Sequence, residues 1–364
     1  MALSTTDEES SALQQLESDL ESAHFIPTWV YAPKLNTREP VPGYRPYLWR
    51  WAATHNLLMR AGDLITPERG AERRSIDHVN PDLEPQLAAT HTIGSAFQLV
   101  RPGEIAPAHR HSLAAIRFVV EGGGGAVYTV VDGERLLMED NDLILTPAFT
   151  WHDHANETGK DIIWLDALDY PLGQTLRCSF FEPGQRDRQV IDKAPDFTRI
   201  TTGALRPPGK APATATPAVR YAWTDVWPVL DAQRNEPGDP FDGILLEYVN
   251  PITGGATLPT ISCLIQLLRP NEHTEAHRAT SSATYFVVSG SGSTVIDGQQ
   301  FDWGLRDVFV VPPWCWHEHR AAATDAVLFS LSDRPVLEVL GLYREEPLTN
   351  AGGHQQVTSK FNGG

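Results

Sequence analysis

Two histidine clusters lie 41 residues apart: Gly103-Glu-Ile-Ala-Pro-Ala-His109-Arg-His111 and Pro147-Ala-Phe-Thr-Trp-His152-Asp-His154-Ala-Asn156. Side chains two apart on a strand point to the same face, so His109 and His111 would converge. His152 opens another predicted strand after a proline-containing turn. Two imidazoles from one strand and one from a second make a facial set of three nitrogens. Such a set binds a divalent metal and leaves coordination positions open, which is what a metal needs to hold both an organic ligand and O2. A lone histidine is usually an ordinary core or surface residue. Here eight of the thirteen histidines (109, 111, 152, 154, 273, 277, 317 and 319) fall in two such clusters, which that explanation does not cover.

The surrounding residues predict strands that could hold these side chains. Phe97-Gln-Leu-Val, Ala115-Ile-Arg-Phe-Val-Val, Ala126-Val-Tyr-Thr-Val-Val and Asp142-Leu-Ile-Leu read as strands, separated by Glu121-Gly-Gly-Gly-Gly and by the hairpin signal Asp132-Gly133. The layout then recurs. Ile116-Arg-Phe-Val-Val-Glu-Gly, Val130-Val-Asp-Gly and Asp142-Leu-Ile-Leu-Thr-Pro answer to Thr284-Tyr-Phe-Val-Val-Ser-Gly, Val295-Ile-Asp-Gly and Asp307-Val-Phe-Val-Val-Pro. His277 answers to His109 and His317 to His152, but Ala279 stands where His111 would be and Ala321 where Asn156 would be. We read two copies of one antiparallel barrel, with chemistry expected only in the first. The second copy is expected to be structural, unless His273 and His319 are recruited to a metal.

Around the barrels the chain divides into an acidic, disordered N-terminus (1–24), an arm with helices (25–90), the first barrel (91–180), a Pro-rich connector (181–255), the second barrel (256–345) and a flexible tail (346–364). Prolines 27, 33, 40, 42 and 46 predict an extended run over 25–50. Its aromatic residues need a surface, and a neighbouring subunit of a dimer or tetramer would supply one. A helix is expected from Leu48 to about Arg60. Another is expected to start at Thr66-Pro-Glu-Arg and to run through Arg69, Arg73 and Arg74.

The 364 residues are enough for two cores. A net charge of -17 argues against nucleic acid or an anionic membrane as partner, though a local arginine cluster could still receive an anionic small molecule. Cys178, Cys263 and Cys315 have neither the spacing of a thiolate zinc site nor an even count for disulfides. No leader-like apolar core and no run near the roughly 20 residues of a membrane span are present. A cytoplasmic setting is therefore expected, and it suits a redox-active metal in its lower oxidation state.

Gly103, His109 and His111, then Pro147, His152 and Asn156, resemble the two motifs of the cupin superfamily. The usual glutamate ligand of that superfamily falls at about Ile116 and is absent. The chain is similar, more closely, to the three-histidine bicupins: gentisate 1,2-dioxygenase and relatives acting on salicylate, substituted salicylates and 1-hydroxy-2-naphthoate. Pro46-Tyr-Leu-Trp-Arg-Trp51, Ala71-Glu-Arg-Arg74, Val79-Asn-Pro-Asp-Leu83, Pro107-Ala-His-Arg-His-Ser, Arg117-Phe-Val-Val-Glu-Gly and Thr150-Trp-His-Asp-His-Ala-Asn156 carry the likeness, which spans roughly 25–345. It implies a mainly β bicupin fold, two jelly-roll barrels with helical N-terminal and connecting segments. It also implies an extradiol-type dioxygenase with Fe(2+) on His109, His111 and His152. The substrate would chelate through carboxylate and hydroxyl, O2 would bind beside it, and no organic cofactor would be needed.

Further residues follow from this resemblance together with strand parity. Arg117 lies an even number of residues beyond both histidines and is expected to point inward to the substrate carboxylate. Arg69, Arg73 or Arg74 would add a second guanidinium, the resemblance favouring Arg73; the alternative is a solvated helix face. Gln98 is either a hydrogen-bond partner of a substrate oxygen or a buried structural amide. His154 is either an acid/base or donor group near the reacting oxygen or a rim histidine. Asp166 is expected to orient His154 or a metal-ligating histidine. Gly94 is expected to leave a roomy pocket that admits substituted or bicyclic substrates. Two other readings compete: a manganese decarboxylase or isomerase of the same fold, disfavoured by the missing glutamate, and a storage bicupin without catalysis, which has no use for an intact triad beside Arg117.

Overall fold

The β-branched, aromatic and alternating stretches of 91–180 and 256–345 fold as two antiparallel barrels, each of two sheets. The computed structural model describes residues 7–66, 69, 74–195, 197–202 and 217–363. It divides into two units, Met1–Val41 and Pro42–Gly364.

In the first unit, Asp7–Ser22 is a helix; of the two conformations its composition allows, disordered or loosely helical, the structure has the helical one. Its Glu, Gln, Leu and Ala are good helix formers. Thr28–Leu35 is also helical, against the extended run expected there. Pro33 removes one internal hydrogen bond, but Asn36 still donates its backbone N–H to the Ala32 carbonyl at 2.8 Å.

In the second unit, the helix expected from Leu48 forms at Trp51–Leu64. The first barrel pairs one sheet, in the order Arg220–Tyr221, Leu143–Thr146, Ala115–Glu121, Ile162–Leu168, Gly94–Val100, Ser75–Asp77, with a second, in the order Phe181–Pro183, Ile105–His111, His152–Asn156, Val127–Val131, Glu134–Leu137. The hairpin at Asp132-Gly133 has both residues at positive φ (46° and 79°), the requirement of a two-residue primed turn, and Asp297-Gly298 repeats it at 45° and 79°. The second barrel repeats the arrangement. Its outer strand Tyr47–Trp49 comes from the arm and pairs with Val308–Val311, while Arg220–Tyr221 of the connector edges the first barrel. Both segments satisfy strand edges that would otherwise be open.

The barrels meet through one sheet of each, the six-stranded sheet of the first and, in the second, the sheet that includes Tyr47–Trp49 and Ser262–Leu268. Ile116, Phe118, Leu143 and Leu165 of one join Ile265, Phe286, Phe329 and Leu331 of the other in a single core. Phe118 stacks on Phe329 with ring centroids 4.3 Å apart. Each such fully buried side chain stabilises by roughly 1.5–3 kcal/mol, so the second barrel supports the sheet from whose opposite face Arg117 projects.

The tail expected to be flexible over 346–364 is docked over its described residues, 346–363. Ser359–Lys360 pairs in parallel with Gln299–Trp303, and Phe361 stacks on Phe301 at 4.8 Å. Among the described residues no helix is long and apolar enough to cross a membrane.

Candidate metal centre

Strand pairing places the three histidines. Ile105–His111 runs antiparallel to His152–Asn156, with Ala106 opposite His154 and His109 opposite His152. Three steps on one strand match two on the other, so one extra residue sits at Pro107-Ala108, a bulge where proline's missing N–H costs nothing. The bulge brings the His109 and His152 ring centroids to 4.2 Å, with His111 4.8 Å from His152. The turn before His152 is tied to the same strand. Phe149 adopts φ 62° and donates its N–H to the His111 carbonyl at 2.7 Å, and Thr150 Oγ1 donates to the Pro147 carbonyl at 2.6 Å.

Each imidazole of the trio has its Nδ1 against a backbone carbonyl: His109 on Pro107 (2.7 Å), His111 on Leu113 (2.7 Å) and His152 on Thr150 (3.0 Å). A carbonyl only accepts, so each Nδ1 carries a proton, and in the neutral tautomer this turns the Nε2 lone pair to a metal. One nitrogen from each ring lies within 4.8 Å of the others. Nε2 of His152 is buried and makes no hydrogen bond. Burial first, then the charge of Arg117 and the other two rings, holds His152 well below the ordinary histidine range and keeps it in the neutral, ligating form. The donor set fits a divalent transition metal: three oriented neutral nitrogens and a buried lone pair that nothing in the protein satisfies.

Arg117 points into this barrel as expected, and the structure also supplies a counterion for it. Arg117 lies opposite Asp166 on the neighbouring strand, with Nε 3.2 Å from Asp166 Oδ1. That contact is an ion pair without hydrogen-bond alignment. Nη1 donates to Thr146 Oγ1 at 2.5 Å, and Trp164 Nε1 donates to Asp166 Oδ2 at 2.9 Å. Asp166 therefore anchors Arg117 across the paired strands, where orientation of a histidine was expected. Burial lowers the Arg117 pKa and raises that of Asp166, each opposed by the partner's charge. Arg117 is thus compensated without a substrate, while its charge still bears on His152 and His154.

His154 is 3% exposed and its Nδ1 has no partner. Its ring lies 5.3 Å from Trp164 and 5.8 Å from His152. Burial, then Arg117, keeps it neutral. Gln98 is buried on the same sheet face, directly across from Trp164.

Other expectations require correction. Ile116 is packed in the core between the barrels, so the interior position of the missing carboxylate is Ala115, on the Arg117 face. The site stays free of a carboxylate ligand either way. Arg74 precedes the strand Ser75–Asp77 and is not in a helix. It is buried and holds Glu104 with two nitrogens (2.9 and 2.7 Å) and the Ile65 carbonyl with a third contact at 2.7 Å, so it has no capacity left for a substrate. Arg69 is exposed to solvent. Arg73 lies outside the described residues. A Cβ at Gly94 would meet the Leu87 carbonyl oxygen at 3.1 Å and lie 3.8–3.9 Å from Pro171 and Tyr170, residues that line a cavity beside this strand. Three residues were missed altogether. Thr146 and Trp164 fix the ion pair, and Phe181 lies 5.3 Å from the His109 ring. Trp164-x-Asp166 was visible as a same-face pair, but nothing local pointed to its partner.

A cupin-domain family model matches residues 96–168 and 264–332. The chain is 54% identical to a 5-aminosalicylate 1,2-dioxygenase of Comamonas sp, over 96% of this chain and 94% of that protein. It is 39% identical to gentisate 1,2 dioxygenase 1 of Aquipseudomonas alcaligenes, over 91% and 95%. The crystal structure of a salicylate 1,2-dioxygenase from Pseudoaminobacter salicylatoxidans, in an adduct with gentisate, superposes with a TM-score of 0.85 at 33% identity, covering 95% of each chain.

Proposed function

This chain belongs to the cupin-fold family of ring-cleaving 1,2-dioxygenases, and we propose that it is an iron(II) enzyme opening a 2-hydroxybenzoate between its carboxyl- and hydroxyl-bearing carbons. The substrate proposed first is 5-aminosalicylate, with gentisate next. Both carry an electron-donating group para to the hydroxyl, which makes the ring easier to oxidise, and the 54% identical relative bears the first name. The bond cleaved is not that of a catechol, so the extradiol label fits loosely.

The observation that carries the reading is the neutral trio His109, His111 and His152 with alanine at the interior carboxylate position. Three neutral ligands leave a divalent ion its full charge, which favours an anionic chelating substrate. Iron bound there would supply open positions for such a substrate and for O2, and the unpaired electrons that permit triplet O2 to react with a closed-shell ring. The chain's own residues do the rest. Arg117, fixed by Asp166 and Thr146, offers a positive charge beside the trio for the carboxylate, without reorganisation. His154, held neutral, stands by to donate a hydrogen bond to a substrate or dioxygen oxygen. Burial of His152, His154, Trp164 and Asp166 keeps bulk water out. The ring C–C bond breaks, both atoms of O2 enter the product, and no external reductant is consumed.

The test is oxygen uptake by protein reconstituted anaerobically with Fe(II), offered 5-aminosalicylate, gentisate, salicylate and 1-hydroxy-2-naphthoate. The expected order of kcat/KM follows that sequence. Highest activity on the naphthoate would move the assignment to the bicyclic substrate, and no uptake with any would end the dioxygenase reading for these substrates. A homo-oligomer, dimer or tetramer, is also proposed. Exposed Phe25, Ile26, Trp29 and Leu35 support it, and the mass from sedimentation equilibrium would read it directly.

A further inference from the structure

The second barrel carries a cluster of metal-ligating side chains outside its interior. His273, Glu318 and His354 place one donor atom each within 4.8 Å of the others. His273 Nε2 lies 3.6 Å from Glu318 Oε1, and His354 Nδ1 lies 3.2 Å from Glu318 Oε2. The two imidazoles stack with centroids 4.2 Å apart. A tetrahedral zinc with bonds of 2.0–2.1 Å separates its ligand atoms by about 3.4 Å, between the two distances observed.

The first barrel shows what this cluster replaces. Asp153 occupies the position of Glu318, and it accepts hydrogen bonds from Gln189 N and Nε2 (3.0 and 3.1 Å). Gln189 Nε2 also donates to the Val130 carbonyl, as Gln355 Nε2 does to that of Val295. Gln355 N donates to both Glu318 oxygens at 3.2 and 3.3 Å. The matched glutamines align His354 with Arg188, and the matched strand pairings align His273 with Ile105. In the first copy the charge of Arg188 bears on the buried carboxylate. In the second copy no arginine or lysine pairs with Glu318 among the described residues. Its side chain is 2% exposed, and two imidazoles, 37% and 39% exposed, close over it. A buried carboxylate needs a cation, and the two imidazoles over it supply nitrogen ligands that could hold one. Water can reach the exposed histidines and complete the coordination.

We propose that His273, Glu318 and His354 bind a zinc-class divalent cation that clamps the C-terminal segment to the second barrel. The ion would tie residue 354 to the strand His317–Ala321, next to the backbone bond from Ala276 N to the Gly353 carbonyl (2.7 Å). This site is separate from the first-barrel trio and does not depend on the proposed reaction.

The test uses the iron-loaded protein dialysed against zinc chloride, followed by metal analysis and thermal unfolding with and without zinc. Wild type is expected to hold one more zinc per chain than His273→Ala or His354→Ala, and to show a zinc-dependent rise in Tm that both variants lose. Zinc affinity at this site should fall at least about tenfold in each, the scale of even outer-sphere changes at metal sites. The three first-barrel histidines are intact in every protein, so any exchange of zinc for iron there is common to all. His354→Gln, which keeps a hydrogen bond to Glu318, guards against a folding failure and should behave as His354→Ala. Equal zinc content in wild type and variants would overturn the proposal and leave a hydrogen-bonded His–Glu–His closure.

Discussion

The two barrels follow one plan and differ in what they enclose. Matching strand registers set His111 against Ala279, Thr146 against Val311, Arg117 against Tyr285 and Asp166 against Ser330. Where the first barrel buries an ion pair, the second stacks Tyr285 on Phe309 at 4.8 Å. Where His154 Nδ1 has no partner, the equivalent nitrogen of His319 meets Thr294 Oγ1 at 2.8 Å. The second barrel closes without a third histidine or a buried guanidinium, so neither is needed to build this fold. Burying Arg117 and Asp166 has a desolvation cost that their attraction repays only in good geometry, and their alignment is imperfect. On the proposed reading the first barrel bears this cost for binding and chemistry, and the second is relieved of it.

Making the first barrel resemble the second should have the largest effect. His111→Ala should lower ring-opening activity by about 10³-fold or more, equivalent to about 4 kcal/mol of barrier, together with loss of iron on metal analysis. The reciprocal Ala279→His should yield no oxygen uptake in a His111→Ala background even if metal binds, because Tyr285 and Ser330 stand in place of the Arg117–Asp166 pair. Activity restored by that double variant would erase the distinction between the barrels.

Asp166→Asn comes next. It leaves Arg117 buried without its counterion, and denaturant unfolding should show a loss of about 3 kcal/mol. Steady-state kinetics should show kcat/KM down about 100-fold, about 2.7 kcal/mol, with KM for the carboxylate substrate rising. Unchanged stability would mean that the pair is not held as described.

The smallest expected effect probes the second barrel through pH. Burial alone would lower the His277 pKa, but the hydrogen bond to Glu345 and the charges of Asp242 and Glu345 outweigh it and raise it above 6.5. The same hydrogen bond pulls Glu345 down to about 2. The raised histidine contributes stability that is complete below pH 6.5 and lost as pH rises through its folded value. The depressed glutamate contributes stability present above pH 4.5 and lost as pH falls toward 2. Glu345→Gln should therefore cost most between pH 5 and 6, about 1 kcal/mol because Glu345 is partly exposed, and less at pH 9. A loss independent of pH would assign the pair a packing role only.

Much of the site was legible because it rests on short periods and repeats. Parity put Arg117 inward and grouped His109 with His111, and the Asp-Gly turns fixed the hairpins. What could not be read depends on distant pairing. Asp166 meets Arg117 because two strands 49 residues apart in sequence lie side by side. The bulge at Pro107-Ala108 that sets His109 opposite His152 is defined by the partner strand. Ile116 was assigned to the ligand position by motif spacing, whereas the pleat turns it to the interface and leaves Ala115 inside. The N-terminal helices were hidden by acidic and proline-rich composition, and the docked tail by its lack of any periodic pattern, since single side chains such as Phe361, Gln355 and His354 and a few backbone bonds hold it.

The central claim is that ring opening belongs to the first barrel alone. The direct measurement is single-turnover oxygen consumption by iron-loaded His152→Ala and His317→Ala, each with 5-aminosalicylate under 18O2. His317→Ala should open one ring per O2, with both labelled atoms in the product, at close to the wild-type rate. His152→Ala should open none. Turnover by His152→Ala, or its loss in a folded His317→Ala, would contradict the account.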